Sequence, residues 1–401
     1  MRAAVIGSAN LEHDGGGERI AVQAAKYLCE LGYEVVIFGS GSEFDRSEQK
    51  NLGKEITYIK NAFINDFFSK KIVLRLTRGL SLGFIGFYTG KRFWNLIKGF
   101  DLYYFTIPGM LFRSFGRRLI DEGRDSQIIL ANHGTYYEIL NSRRSYFFKL
   151  LQRILDFYIL KPFSKSIIWV QTQNKFQRDY FVSMGYDPDR VKTIPQCDIP
   201  YNSNSIINLN GPFRVAFLGR LTVNKGVKLL IEIIKKSCEI EFDIIGDGPM
   251  KQELIELSRI HPGVRIHGFV SEDKKNLLLS RCDVMLNCSS FESLSISTVE
   301  GMMNGLVTLA SETSTGHEYL NTLVKRSIIF CKRNPDSYYS KLFELKEFKR
   351  DDPKGFLELR EGIREVAHKI FNQEHLANEI KKLLLLPASV KEEKKKRPIA
   401  F

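Results

Sequence analysis

Short apolar strands that end on glycine and lead into helices recur in two series along this chain. That alternation leaves few architectures open. The first series begins at "MRAAVIGS", runs through the helix-period stretch "GGGERIAVQAAKYLCELG" closed by Gly32, and returns to a strand at "YEVVIFGSG". Strand, glycine turn, helix and strand make a parallel βαβ unit. Further strands are expected at "FDLYYFTI", "SQIILANHG" and "SIIWVQT". The second series starts near residue 212, where "FRVAFLGRL", "EFDIIGDGP", "VRIHGFV", "DVMLNCS" and "LVTLAS" read as strands. Between them "KGVKLLIEIIKKS", "MKQELIELSRI", "SEDKKNLLLSRC" and "SISTVEGMMNG" read as helices.

The fold class this implies is α/β, with two doubly wound Rossmann-like domains facing each other across a cleft. Residues 1–199 form the first domain, the Asn- and Ser-rich "PYNSNSIINLNG" at 200–211 the linker, and 212–369 the second domain. A helix at about 370–390 would pack back on the first domain, and 388–401 form a basic tail. Ligands bind such sheets at the carboxyl ends of the strands.

Composition narrows the class of function. A chain of 401 residues that is 43% hydrophobic and 26% charged buries large cores and is not disordered. The net charge of +13 attracts anions, which include phosphate groups, nucleic acid and acidic lipid. The six cysteines show neither a CxxC pair nor zinc spacing, and read as reduced, which suits the cytoplasm. No signal peptide is expected before the first strand, and the apolar runs break before the ~20 residues a spanning helix requires.

Two stretches carry chemistry. In "FLGRLTVNKG", Gly219 ends a strand, so backbone can approach a ligand closely. Arg220 and Lys225 follow it, a guanidinium fork and an ammonium suited to a diphosphate, though equally suited to a solvated basic loop. In "FESLSISTVEGM", Glu292 and Glu300 stand eight positions apart with no other ionisable group between them. On a single helix they would lie about 12 Å apart, too far for one reacting atom and suited to two ends of an extended ligand. Ser290 or Ser293 is the expected cap of a helix beginning near Leu294, with Glu292 before it and Glu300 about two turns in. Free N–H groups at that helix start make an anion site. A ligand with hydroxyls on both sides of a diphosphate fits, and a nucleoside diphosphate sugar is one. The plainer reading makes Glu300 a solvent-facing helix residue and Glu292 a complement to the helix dipole.

"GRLTVNKG", "IIGDGP", "VRIHGFV" and "FESLSISTVEGM", in this order and spacing, resemble the C-terminal domain of GT-B glycosyltransferases of family 4 (glycosyl transferases group 1). Glu292 and Glu300 match that family's paired-glutamate motif. "GGGERIAVQAAKYLCELGYEVVIF" is similar to its first loop and helix, and "QTQNKFQRDYFVSMGYDPDRVKTIP" to its inter-domain approach. The resemblance implies a retaining hexosyltransferase that needs no cofactor and uses a UDP- or GDP-sugar donor. It implies that Arg220 and Lys225 hold the diphosphate, Glu300 the ribose hydroxyls and Glu292 those of the transferred sugar. Backbone N–H groups of Leu294 and Ser295 would complete the phosphate site, Gly268 and Phe269 would border the base, and His133 would stand near the donor sugar. Gly15, Gly16 and Gly17 match a loop facing donor and acceptor. His133 could instead be a core histidine, Gly15–Gly17 a loose turn, and His267 reads as structural. The family often has Asn-Gly-Val-Asp where this chain reads "IPQCD" at 194–198, which keeps Asp198. No Asp-x-Asp metal motif appears among the cleft motifs.

The stretches 63–118 and 141–165 interleave aromatic and aliphatic residues with Lys and Arg. In the second, Phe147, Leu150, Leu151, Ile154, Tyr158 and Leu160 are the expected apolar face, with Arg143, Arg144, Lys149, Arg153, Lys161 and Lys165 adding charge. Basic amphipathic segments of this kind lie on anionic membranes, though core helices with basic outer faces have the same pattern. A peripheral protein at the cytoplasmic face, acting on a glycan or lipid-linked acceptor and not on nucleic acid, is the expectation. Three rivals stay open: another GT-B-fold enzyme such as an epimerase or phosphorylase, a nicotinamide oxidoreductase and a nucleic-acid binder. "GSANLEHDGGG" has the wrong length for the dinucleotide fingerprint, and nucleic acid does not explain Glu292 and Glu300.

Overall fold

The computed structural model describes residues 1–7, 16–39, 56–59, 90–106, 112–132, 146–195, 197, 207, 209 and 211–385. Two parallel sheets organise them. The first takes β1 (Arg2–Ile6), β2 (Glu34–Phe38), β3 (Ile56–Ile59), β4 (Leu102–Phe105), β5 (Ile128–Asn132), β6 (Trp169–Thr172) and β7 (Val191–Thr193) in the order β3-β2-β1-β4-β5-β6-β7. Ala3 of β1 lies level with Val35 on one side and Leu102 on the other. The strand alternation sends successive side chains to opposite faces, and both faces are buried. Ala4, Ile6, Tyr103 and Leu130 fill one core. Ala3, Val5, Tyr104 and Ile129 fill the other.

The helices in this half are α1 (Gly16–Glu30), α2 (Gly90–Ile97), α3 (Arg117–Asp121), α4 (Tyr146–Leu160) and α5 (Lys175–Ser183). Asn174 caps α5, accepting from the Gln177 N–H at 2.9 Å.

The second sheet takes β8 (Arg214–Leu218), β9 (Glu241–Ile245), β10 (Val264–Gly268), β11 (Val284–Asn287), β12 (Val307–Ser311) and β13 (Ile328–Cys331) in the order β10-β9-β8-β11-β12-β13. Its strand order reverses between β8 and β11, so a crevice opens at their carboxyl ends. Around it lie α6 (Val227–Lys236), α7 (Lys251–Ile260), α8 (Glu272–Ser280), α9 (Ile296–Met303), α10 (Thr315–Leu323), α11 (Pro335–Asp351) and α12 (Pro353–Ile370).

The chain passes between the halves twice. Ile194 belongs to the first core and Cys197 to the second, so the first crossing comes just before the stretch 200–211. The last helix, α13 (Gln373–Leu385), returns to the first sheet. Leu376, Ala377, Ile380 and Leu383 share a core there with Ala21, Ala24 and Leu28 of α1. The tail after residue 385 lies outside the described residues.

A buried charge cluster ties helices to the second sheet. Arg360 is wholly buried and donates to Asp283 Oδ1 at 2.8 Å, the Cys282 carbonyl at 2.6 Å and the Gly305 carbonyl at 2.8 Å. Asp283 Oδ2 also accepts from Lys349 at 2.9 Å and from the Arg214 N–H at 3.0 Å. One carboxylate thus pins α11 and α12 to the start of β8 and β11. Removing it leaves two buried cations without their shared anion. Asp283→Ala should therefore lower the unfolding free energy by about 3–5 kcal/mol in urea denaturation. A loss under about 1 kcal/mol would mean that packing alone holds these helices.

Candidate functional site

The carboxyl ends of four strands converge on one cavity of about 420 Å³. β8 delivers Gly219, Arg220 and, beyond a short turn, Lys225. β9 delivers Gly246 and Asp247, and β10 ends at Gly268 with Phe269 and Val270 beyond it. The loop after β11 and the start of α9 supply Glu292, Leu294, Ser295, Ser297 and Glu300. Arg220 and Lys225 thus face the same space as both glutamates.

Close backbone approaches set this geometry. Gly226 sits in the left-handed region at φ 76°, and a Cβ there would fall 2.0 Å from the Cys288 carbonyl oxygen. Only glycine lets the Lys225 turn lie against the end of β11. Gly316 plays the matching part beneath the glutamate loop. Its N–H donates to the Glu292 carbonyl at 3.0 Å, where a Cβ would come within 2.4 Å of that oxygen.

The helix start differs from the sequence expectation. Neither Ser290 nor Ser293 caps it. Ser295 is the cap, at φ −79° and ψ 99°, accepting from the Thr298 N–H at 3.4 Å, and the helix runs from Ile296 to Met303. A buried polar cluster selects this serine. Its Oγ accepts from Asn287 Nδ2 at 2.9 Å and from Thr298 Oγ1 at 3.0 Å. Asn287 ends β11, so the strand itself dictates where α9 begins. Glu300 therefore stands little more than one turn into the helix, and Glu292 precedes it in the loop. The spacing of about 12 Å expected of one shared helix does not apply to them.

Each glutamate has a lysine. Glu292 Oε1 lies 2.7 Å from Lys225 Nζ, and Glu300 Oε1 lies 2.5 Å from Lys275 Nζ. Lys275 also meets Glu272 Oε2 at 2.5 Å. Glu292, Glu300 and Lys275 are all buried. Burial works to raise the Glu292 carboxyl, but the Lys225 ammonium, with a hydrogen bond from Ser289, outweighs it and holds the group below the ordinary carboxylate range. Glu292 is an anion at neutral pH, an acceptor for hydroxyl groups rather than a proton donor.

Lys275, Glu272 and Asp247 were not singled out from sequence. "EDKK" reads as a solvated first turn, yet Lys275 shares a helix face with Leu278 and Leu279, and that phase was the available signal. His267 pairs with Asp243 at 2.7 Å and belongs to the sheet edge. Gly16 and Gly17 open α1. His133, Gly15 and Asp198 lie outside the described residues.

The model described as Glycosyl transferases group 1 matches residues 212–347, and the model described as Glycosyltransferase Family 4 matches residues 14–197. The chain belongs to the group 1, family 4 glycosyltransferases. It is 27% identical over 154 residues to the GPI3 subunit of phosphatidylinositol N-acetylglucosaminyltransferase of Saccharomyces cerevisiae, covering 35% of this chain and 34% of that protein. Over 97 residues it is 32% identical to the sulfoquinovosyl transferase SQD2 of Arabidopsis thaliana, covering 24% of this chain and 19% of that one. The chain thus spans about a third or less of the length of these curated relatives. Among solved structures, sucrose-phosphate synthase from Thermosynechococcus elongatus superposes with a TM-score of 0.70 at 15% identity, over 96% of this chain and 98% of that one. HepE of Anabaena gives 0.68 at 15% identity, over 96% and 99%. These likenesses establish the GT-B fold of the family.

Beneath the cap, His317 is wholly buried between Ser314 Oγ, 2.6 Å from Nδ1, and Thr298 Oγ1, 3.0 Å from Nε2. Burial pushes its pKa down to about 4, opposed by the Glu292 carboxylate. The folded value lies below the ordinary 6.5, so the unfolded chain takes up a proton first as the pH drops. Its contribution is complete above pH 6.5 and disappears between 6.5 and about 4. Unfolding free energies measured across that window should fall less steeply for His317→Gln than for the wild type. Equal slopes would show that His317 is not held neutral.

Proposed function

We propose that this chain transfers a sugar from a nucleoside diphosphate sugar to a glycan or lipid-linked acceptor, with retention of anomeric configuration and without a metal. The observation that carries the reading is the grouping of Arg220, Lys225, the α9 amino end, Glu292 and Glu300 around one cavity. Negative charge grows on the departing nucleoside diphosphate as the glycosidic bond breaks. Two cations and the N–H groups at a helix start would favour that charge, which is the contribution a metal makes elsewhere. Lys225 donates a hydrogen bond to Glu292 at 2.7 Å, and an ammonium has three protons. It can therefore hold that carboxylate and a phosphate oxygen together.

Glu300, fixed by Lys275, takes the ribose hydroxyls, and Glu292 takes hydroxyls of the transferred sugar. Gly268, Phe269 and Val270 border the base. Glu292 remains ionised beside Lys225 and does not serve as a general acid. In this reading the acceptor oxygen attacks on the face from which the diphosphate leaves, and no protein nucleophile takes part. The donor is a UDP- or GDP-sugar. HepE was solved with UDP-glucose, and the GPI3 relative is named for N-acetylglucosaminyl transfer to phosphatidylinositol.

Screening UDP-, GDP- and ADP-sugars by thermal shift should find at least one that raises the melting temperature. Glu300→Ala should abolish that rise by removing the ribose acceptor. A flat response to every donor would sink the assignment.

The membrane part rests on α4. Leu150, Ile154, Phe157 and Tyr158 are 44%, 57%, 63% and 50% exposed, at one helical face's spacing. The expected face is shifted. Leu160 is buried instead, because the helix end turns into the core with Ile159 and Phe163. Phe157, not part of the expected set, takes its place outside. Arg153 is exposed on the same helix, and Arg113 stacks on the Tyr158 ring at 3.7 Å. The side chains of Phe147, Lys149 and Leu151, like residues 60–89 and 143–145, lie outside those described. No helix among the described residues is long and apolar enough to cross a membrane. An exposed apolar face beside cations suits the interface of an anionic leaflet, and we place the protein at the cytoplasmic face. The wild type should co-sediment with phosphatidylserine-containing vesicles more than with neutral ones. Ile154→Glu/Phe157→Glu should reduce that binding about tenfold or more, given ~25 cal/mol per Å² of apolar area returned to water. Binding unchanged by the double substitution would remove α4 from the interface.

A further inference from the structure

The second half supplies every cavity residue named above, yet one side chain of the first half reaches the loop that forms its phosphate end. Asn174 is wholly buried at the start of α5, and its Nδ2 donates to the Ser293 carbonyl at 2.7 Å. Its Oδ1 is already committed to the Gln177 N–H at 2.9 Å. The carboxamide is therefore oriented by its own helix, with the NH₂ end directed at the glutamate loop. In a trans peptide the carbonyl and the following N–H point in opposite directions. Holding the Ser293 carbonyl thus fixes the direction of the Leu294 N–H. Leu294 lines the cavity and Asn174 does not, which fits a pinned peptide whose N–H lies on the cavity side. The preceding peptide is held in the same way from another direction, by the Gly316 N–H on the Glu292 carbonyl at 3.0 Å.

We propose that Asn174 is a positioning residue for the donor diphosphate, acting from the opposite domain by holding the 293–294 peptide so that the Leu294 N–H meets a phosphate oxygen. The proposal rests on the reading that this cavity binds a nucleoside diphosphate. It makes the phosphate end of the site a joint product of both domains. The ribose end, built on Glu300 and Lys275, belongs to one domain alone. Asn174 should then affect the diphosphate and leave the nucleoside untouched.

That asymmetry supplies the test. Asn174→Asp keeps a capping oxygen for the Gln177 N–H, since Asp and Asn cap helices about equally, and removes the NH₂ donor. Asn174→Ser keeps a capping hydroxyl, adds no charge and is too short to reach Ser293. Calorimetry would compare UDP, GDP and ADP with uridine, guanosine and adenosine on the full chain. For the nucleotide the wild type prefers, both variants should weaken diphosphate binding by about tenfold, the scale of one hydrogen bond of about 1.4 kcal/mol. Nucleoside binding should stay within about twofold, a difference under about 0.5 kcal/mol. Equal losses for diphosphate and nucleoside would mean that Asn174 only stabilises the fold, and unchanged diphosphate binding in both variants would also overturn the proposal. A wild type that binds none of the diphosphates would overturn the donor reading itself, and this inference with it.

Discussion

A buried carboxylate stays charged only if a cation stands against it, and Glu292 and Glu300 each meet a lysine. Without Lys225, burial would drive Glu292 toward its neutral form. It would then lose much of its capacity to accept hydroxyl hydrogens. With the lysines in place the cavity carries alternating signs at short range. In the proposed reading, hydroxyl-bearing parts of the donor would meet the carboxylates, and its phosphates Arg220, Lys225 and the helix amides. The two pairs differ in strength of enclosure. Lys275 is 7% exposed and Lys225 32%, so water screens the second more. That suits Lys225 to a ligand contact and Lys275 to a fixed support.

Those pairings depend on backbone positions that admit no side chain. Lys225 reaches Glu292 because Gly226 lets its turn close against Cys288, and the Glu292 loop lies where it does because Gly316 admits it. The network of Asn287, Ser295, Thr298 and His317 then decides where α9 begins. It holds no charged group at neutral pH and is joined by hydrogen bonds throughout. A buried polar network of this kind specifies a single arrangement only while every member keeps its partner. A neutral His317 meets that condition, because a protonated ring would place a second charge beside Lys225.

The fold was largely legible in the sequence, since strands buried on both faces read as apolar runs and their helices carry a 3.6-residue period. Short edge strands such as Ile56–Ile59 and Val191–Thr193 escaped notice because a few residues give no period to count. The cavity-lining residues were legible where a side chain's chemistry stood in a strand-end loop, as with Arg220, Lys225 and Glu292, or on the helix after one, as with Glu300. The start of α9 was not. Residues 289–295 hold four serines, and the choice among them is made by Asn287 and Thr298 through contacts that a linear reading does not contain. Lys275 was hidden for a related reason. Its charge reads as surface, and the buried partner Glu300, 25 residues away, is what carries it inward.

The position of Asn174 bears on why such a site is divided between two sheets at all. A loop that binds phosphate through its amides must expose them, and exposed amides can turn toward water as readily as toward a ligand. Anchoring both flanking carbonyls removes that freedom before the ligand arrives. One anchor, Gly316, comes from the same domain and is always present. The other comes from the opposite domain, and its geometry is available only when the two halves are docked. A loop held this way before a ligand binds has less left to reorganise as charge develops beside it. The same docking sets a buried side chain of the first half against the loop, so contacts from both sheets fix the direction of its peptides.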